Sequence, residues 1–173
     1  MELKDKGNWH AHWRLEKREG DKADFDGDLE RFLAEVKPYE VVEKEGNLLC
    51  NVGINLLLDL LVAGGGTSYN NANAYLAVGN GVVAAAPADT DITGPSKTYI
   101  ISDVGYPIVG TTACTWRSTF GAGDANYAWN EVALLNGNAP PASFILNHLV
   151  PAGGLGTKAA GASWTLSLVI TIS

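Results

Sequence analysis

The chain has 173 residues, a formal net charge of −7 and a hydrophobic content of 46%. This length supports one full-sized core, and the hydrophobic content is too high for a disordered chain. The acidic balance argues against a nucleic-acid-binding protein, which normally presents a basic surface. The 20 Gly and 7 Pro residues favour frequent turns between short elements, as in mainly β proteins.

Charge is concentrated in residues 1–46, which contain 9 of the 12 Lys and Arg residues and 13 of the 19 Asp and Glu residues. Surface charge keeps soluble monomers apart, so the nearly uncharged remainder favours a protein covered by copies of itself or by a larger assembly. We predict a charged N-terminal arm or hairpin at residues 1–46 and a β-sandwich body at residues 47–173.

The first predicted elements are a strand over residues 8–19 and a short helix after it. Apolar and polar residues alternate in NWHAHWRLEKRE, which is typical of a half-buried strand. DLERFLAEVKP has apolar residues at helical spacing, with Asp28 as its cap and Pro38 as its end. The predicted inward positions are Trp9, Ala11, Trp13 and Leu15 in the strand, and Leu29, Phe32, Leu33 and Val36 in the helix.

A second helix is predicted from Val52 to Ala63, with Asn51 as its cap and the following glycines as its end. Its expected buried face consists of Leu57, Leu58 and Leu61. The stretch AYLAVGNG then reads as a buried strand closed by a Gly-Asn-Gly turn. Residues 82–96, which are rich in small side chains, are predicted to form an exposed loop that contacts a partner.

The rest of the chain is predicted to be extended. Strands are expected within residues 97–109, 111–120, 129–135, 143–150 and 163–173. The last of these, SWTLSLVITIS, alternates most regularly. The sequence therefore predicts a mainly β fold, a β-sandwich or jelly-roll-like domain with one or two short helices.

The stretch GAGDANYAWNE raises the question of an active site, because it places Asp124 and Glu131 on either side of aromatic residues. Two carboxylates that face one cleft can act as an acid/base pair in glycoside hydrolysis. The structural interpretation is favoured instead. Gly121–Asp124 would form a turn between strands, and Glu131 would be a buried or interfacial acceptor, with Arg117 as its candidate partner.

Candidate ion sites are weak. His10 and His12 could supply half a metal site, but His148 is remote in sequence, and polar residues on a solvent-facing strand are the favoured reading. DKADFDGD departs from a calcium loop, although a looser Asp26/Asp28 ion site stays open. We expect no catalytic residues, no cofactor-binding residues and no metal site, and the chain is not expected to be an enzyme.

Two cysteines and the hydropathy pattern bear on compartment. Cys50 and Cys114 are expected to be small buried side chains and not a disulfide. The N-terminus lacks an apolar signal-peptide region, and the longest apolar run, residues 56–63, is too short to span a bilayer. We expect synthesis in the cytoplasm and no membrane partner.

Four features in order resemble a group of tailed-bacteriophage virion structural proteins: NLLCNVGINLLLDLL, AYLAVGNG followed by DTDI, TWRSTFGAGDANYAWNEVALLN, and LGTKAAGASWTLSLVITIS. The resemblance covers about residues 41–173. Leu135 stands where that group commonly has Phe. Such proteins include capsid decoration (cement) proteins and tail components.

The resemblance implies a decoration protein on the capsid surface of the virion. It would bind the major capsid protein and associate with itself, as an expected homotrimer, without nucleic acid. The charged N-terminal segment and the Val82–Ser96 loop are the expected contact regions. Two alternatives stay open: a tail, baseplate or fibre component, and a carbohydrate-binding module in which Trp9, Trp13 or Trp129 stacks on sugar rings.

Overall fold

The structure, a computed structural model, describes residues 8–46 and 48–173. Strand accounts for 39% and helix for 13%, and the sheets are antiparallel, which confirms the mainly β class and the short helices. The strands are β1 (Trp9–Glu19), β2 (Glu40–Glu45), β3 (Leu48–Leu49), β4 (Tyr75–Gly79), β5 (Lys97–Ile101), β6 (Ile108–Val109), β7 (Ala113–Phe120), β8 (Ala128–Trp129), β9 (Glu131–Leu135), β10 (Ile145–Leu149), β11 (Gly156–Thr157) and β12 (Ala162–Ile172). The α-helices are α1 (Leu29–Glu35) and α2 (Asn51–Leu61), and a 3-10 turn covers Lys22–Phe25.

Ten of these strands form two five-stranded sheets, and β8 and β11 form a small third one. The first sheet has the order β2-β1-β12-β7-β6, and the second has the order β3-β10-β9-β4-β5. Both contribute to one hydrophobic cluster, which includes Trp13 and Leu166 from the first sheet and Leu76 and Val132 from the second. The core therefore lies where the inward faces of the two sheets meet.

The first strand lies inside the first sheet, between β2 and β12. β1 pairs with β12 along all 11 residues and with β2 on its other side. Trp13 and Leu15 are 1% exposed and lie in the main core, while Arg14 and Glu16 alternate with them on the other face. The charge of this segment thus covers the outside of a core strand, because side chains alternate across a strand. Residues 1–7 of the predicted arm lie outside the described residues.

The first helix matches its prediction. The Asp28 side chain accepts a hydrogen bond from the Arg31 amide, Phe32 is fully buried, and the helix ends at Glu35, before Pro38. Asp28 satisfies one of the free amides at the helix start, which explains why this short segment is helical.

The second helix begins one residue earlier than predicted and faces a different way. Cys50, without a side-chain cap hydrogen bond, takes the cap position predicted for Asn51. Gly53 packs on the β10 backbone, where a Cβ would lie 2.5 Å from the Ile145 carbonyl oxygen. This contact sets the rotation of the helix, so Leu56 is buried. Of the predicted face, Leu57 packs against the main core, whereas Leu58 and Leu61 are 57% and 81% exposed.

The GAGD turn connects the two sheets. β7 ends at Phe120 in the first sheet, and β9 begins at Glu131 in the second. The predicted strand at residues 129–135 is interrupted at Asn130, whose amide donates to the Gly79 carbonyl. Trp129 pairs with β11 instead. None of the helices in the described part of the chain is long and apolar enough to cross a membrane.

Candidate functional site

The most densely hydrogen-bonded side chain of the GAGDANYAWNE stretch is Glu131, at the start of β9. It is fully buried. Its Oε1 accepts hydrogen bonds from the amides of Gly81 (2.9 Å) and Gly94 (2.7 Å). Its Oε2 accepts from the amide of Thr93 (2.8 Å) and from the Thr93 hydroxyl (3.0 Å). We call Glu131, Gly81, Thr93 and Gly94 the Glu131 cradle.

His148, on the neighbouring strand β10, extends this network. Its Nε2 lies 3.0 Å from Glu131 Oε2, and its Nδ1 lies 2.8 Å from Asp89 Oδ2. Asp89 belongs to the loop between β4 and β5 and also accepts from the Ala86 amide at 2.8 Å. The His148 side chain is fully buried, so a buried imidazole joins two carboxylates from different parts of the chain.

The ionisation of these groups follows from their partners. Burial raises the pKa of Glu131, but hydrogen bonds from His148, Thr93, Gly94 and Gly81 outweigh it and hold that pKa at about 2. Burial lowers the pKa of His148, but the hydrogen bonds and charges of Glu131 and Asp89 raise it above its ordinary value. Glu131 is therefore held as an anion, and its carboxylate favours the protonated form of His148.

Glycines create the space for the carboxylate. Gly79 pairs with Glu131 across β4 and β9, and a Cβ at Gly79 or Gly81 would overlap Glu131 Oε1. A Cβ at Gly94 would overlap the Gly81 amide nitrogen. The Gly-Asn-Gly turn and Gly94 thus allow two backbone segments to approach one acid, which residues with side chains would prevent.

The loop of residues 80–96 is held at both ends, and we call its exposed apolar pair beside Gly81, Val82 and Val83, the loop tip. The cradle holds it at residues 81, 93 and 94, and Ile92 is 1% exposed. Val82 and Val83, in contrast, are 74% and 64% exposed. An apolar tip on a restrained loop is suited to contact another molecule, because little conformational entropy remains to be lost.

The acid/base alternative for Asp124 and Glu131 is contradicted by this geometry. Glu131 has no solvent exposure, and its oxygens are already occupied by hydrogen-bond donors. Asp124 accepts from the Gly121 amide within the turn at 2.9 Å. An acid/base residue must reach the proton it transfers, and Glu131 reaches only the protein itself.

The prediction that Arg117 is the partner of Glu131 is wrong. Arg117 Nε donates to Asp103 Oδ2 at 2.8 Å, a second guanidinium nitrogen contacts Glu30, and the guanidinium stacks over Tyr106 at 4.4 Å. Arg117 lies in β7 of the first sheet, whereas Glu131 begins β9 of the second. The prediction that Glu131 is a buried acceptor agrees with the structure.

The candidate ion-site residues have other contacts. His10 is exposed, and His12 Nδ1 lies 2.5 Å from Glu45 Oε1 on the neighbouring strand. Asp28 caps α1, and Asp26 has a positive φ of 58° at the end of the 3-10 turn. Within residues 8–46 and 48–173, no group of three or more His, Cys, Asp or Glu side chains is placed to hold a metal ion.

The tryptophans proposed for sugar stacking are mostly inside the protein. Trp13 is 1% exposed, and Trp129 is fully buried and donates its indole N–H to the Ala125 carbonyl. Trp9 is half-buried and lines an apolar groove of about 440 Å³ together with Trp116 and Ile172. Neither Trp13 nor Trp129 can offer its face to a pyranose ring.

Both cysteines are free. Cys50 is fully buried in the smaller hydrophobic cluster, and Cys114 is half-buried against the main core. These positions agree with the expectation of small apolar side chains.

Sequence reasoning missed His148, Asp89 and Thr93 as partners of Glu131. They lie 17, 42 and 38 positions away from it, and no short motif joins them. One usable signal existed: AYLAVGNG, DTDI and NE occur in order within the phage resemblance, and the structure brings these three stretches together. Comparisons of the chain with protein-family models, with curated proteins and with solved structures found no match.

Proposed function

We propose that this chain is a structural protein of a tailed-phage virion. Its two sheets would form a β-sandwich, and the protein would decorate the capsid as a homotrimer bound to the major capsid protein. The proposal rests on the sequence resemblance and on the use that the fold makes of the resembling residues.

The observation that carries the proposal is the complete burial of Glu131. Glu131, which has the sequence context of a candidate catalytic acid, is enclosed by hydrogen-bond donors from Gly81, Thr93, Gly94 and His148. These contacts fix backbone segments to one another and leave no carboxylate oxygen for a substrate. The resembling residues therefore stabilise a shape, which supports a structural role over an enzymatic one.

The loop of residues 80–96 supports a capsid contact. Val82 and Val83 are exposed apolar side chains next to the restrained Gly81. Side chains on a backbone that is already restrained lose less conformational entropy on binding. We propose that this tip packs on the major capsid protein.

The apolar edge formed by β5, β6 and the segment between them supports self-association. Strand β2, at one edge of the first sheet, has the sequence EVVEKE, and its charges discourage pairing with another strand. Strands β5 and β6 are edges as well, and the segment from 101 to 109 exposes Ile101, Val104, Ile108 and Val109. We propose this apolar edge as the contact between copies.

Binding to particles tests the proposal. Purified protein is mixed with expanded, undecorated capsids of the phage that encodes it, and bound copies are located by electron cryo-microscopy. We expect trimers in light scattering and density on the capsid faces. The matched pair V82D/V83D and L61D separates the loop tip from another exposed apolar position, and only the former should lose capsid binding.

The possible results separate the alternatives. Density at the tail tip of intact virions would assign the protein to the tail. A monomer that binds neither capsids nor tails would overturn the virion proposal.

A further inference from the structure

We propose that protonated His148 acts as a latch that holds the middle of the 80–96 loop through Asp89, and that loss of its proton releases the turn of residues 86–89. Glu131 would keep the two ends of the loop in place. This inference concerns the chain alone and does not depend on the proposed virion role.

The contacts of His148 define its charge. Each ring nitrogen faces a carboxylate oxygen, Nε2 towards Glu131 at 3.0 Å and Nδ1 towards Asp89 at 2.8 Å. Ionised carboxylates only accept hydrogen bonds, so both ring nitrogens must donate. An imidazole with two N–H groups is an imidazolium, and the geometry therefore describes the protonated side chain.

The two carboxylates are not equivalent partners. Glu131 is fully buried and also accepts from Gly81, Thr93 and Gly94, so it is fixed as an anion. The Asp89 side chain is 17% exposed, and its Oδ2 accepts from the Ala86 amide besides His148. When one proton leaves the ring, the remaining N–H stays on Nε2, where the buried anion needs it more. The lone pair of Nδ1 then faces Asp89.

Repulsion at Nδ1 acts on one short segment. Asp89 and Ala86 close a turn. The Asp89 amide donates to the Ala86 carbonyl, and the Ala86 amide donates to Asp89 Oδ2. The same segment contacts α2 through the Asn51 amide, which donates to the Pro87 carbonyl at 2.8 Å. Exposure of Asp89 to water offers an alternative to the lost hydrogen bond, so the turn can move outward while the cradle contacts persist.

The other titratable groups around the cluster do not replace the lost charge. Cys50 faces Asp89, and burial raises the pKa of its thiol to about 12. Tyr99 and Tyr127 face Glu131, and burial raises the pKa of both phenols. Lys97 is held by Asp91 at 2.6 Å, and Asp91 also accepts from Tyr99. In the part of the chain that the structure describes, His148 is thus the cation of the cluster.

The direction of the pH effect follows from the raised pKa of His148. A group whose pKa is higher in the folded protein stabilises it fully below the unfolded value, which is about 6.5 for His. That contribution is lost as the pH rises through the folded pKa. The contact between His148 and Asp89 is therefore intact in mild acid and is lost when the pH rises above the pKa of His148 in the folded protein.

Nuclear magnetic resonance of the full chain tests the latch. The variant H10Q/H12Q leaves His148 as the single imidazole and provides the reference protein, because His10 and His12 lie on the outer face of β1. We expect both ring nitrogens to be protonated at pH 6. As His148 titrates, the amides of Ala86 and Asp89, which are hydrogen-bonded within the turn, should lose about tenfold or more of their exchange protection, corrected for intrinsic rates, with the same midpoint. The amides of residues 81, 93 and 94 should stay protected.

D89N added to this background serves as the second variant. It removes one anion from the ring, so the titration midpoint of His148 should fall. A neutral ring tautomer at pH 6 would overturn the proposal. So would unchanged protection of the Ala86 and Asp89 amides across the His148 titration, or a midpoint in D89N equal to that of the reference.

Discussion

Two networks of charged side chains in this protein differ in burial. On the outer face of β1 and β2, Arg14 bonds to Glu16 and to Glu43, and these side chains are between 24% and 51% exposed. Between β9, β10 and the 80–96 loop, His148 joins Glu131 and Asp89, and both His148 and Glu131 are fully buried. Water competes with the first network, whereas in the second it reaches only the partly exposed Asp89 side chain. The same residue types therefore decorate a sheet in one place and determine a loop conformation in the other.

The largest expected effect comes from removing the charge of the buried acid. Glu131→Gln presents a neutral amide to backbone N–H groups and leaves His148 with a weaker partner. Breaking a buried charge pair on one side typically costs about 3–5 kcal/mol, and we expect a loss of unfolding free energy in this range. Urea denaturation measures it. A loss below that of a surface variant would show that the cradle is not the dominant network.

Acid titration reaches the same carboxylate without mutation. The pKa of Glu131 is held at about 2 in the folded protein, below its ordinary value of 4.5. A depressed pKa gives stability that is complete above the unfolded value and is lost as the pH falls towards the folded one. The unfolding free energy of the wild type should drop between about pH 4.5 and pH 2, and that of Glu131→Gln should drop less. Parallel curves for the two proteins would contradict this assignment.

Crowding the cradle should have a smaller effect. In Gly94→Ala the new methyl group meets the Gly81 amide nitrogen, which is backbone and cannot rotate away. Overpacking of this kind typically costs about 1–3 kcal/mol. Gly123→Ala is the matched control, because a Cβ there meets nothing within 4 Å. Thermal unfolding of the pair measures the difference, and equal midpoints would refute the close approach of the two segments.

The exposed network should give the smallest effect. Glu43→Gln removes the negative charge that lies 2.7 Å from Arg14 Nη1. Exposed ion pairs contribute about 0–1 kcal/mol, and that contribution falls with added salt. We expect a change in unfolding free energy within this range, measured at low and at high salt. A loss as large as that of Glu131→Gln would remove the distinction between the two networks.

The local sequence pattern predicted those strands and helices whose buried face depends on their own residues alone. The alternation in β1 and β12 and the cap at Asp28 are readable because they depend on neighbouring residues. The face of α2 was mispredicted, since Gly53 packs against β10, about 90 residues further along the chain. Hydrophobic spacing alone does not show which side of a leucine-rich helix meets a distant backbone.

The site was harder to predict than the fold. The sequence predicts Glu131 as a buried acceptor, but it offers Arg117, the single Arg beyond residue 46, as the partner. The actual donors are mainly backbone amides, which every residue except proline possesses and which leave no trace in composition. Glycines at 79, 81 and 94 are the visible sign of them, because each marks a position where a Cβ would collide.

Hydrogen exchange of the Glu131→Gln protein, followed by mass spectrometry under native conditions, tests the central claim most directly. If Glu131 fixes the 80–96 loop, peptides from this loop lose protection, while those from residues 9–45 keep theirs. Unchanged protection of the loop, or a uniform loss over both regions, would contradict a cradle that holds the loop in place.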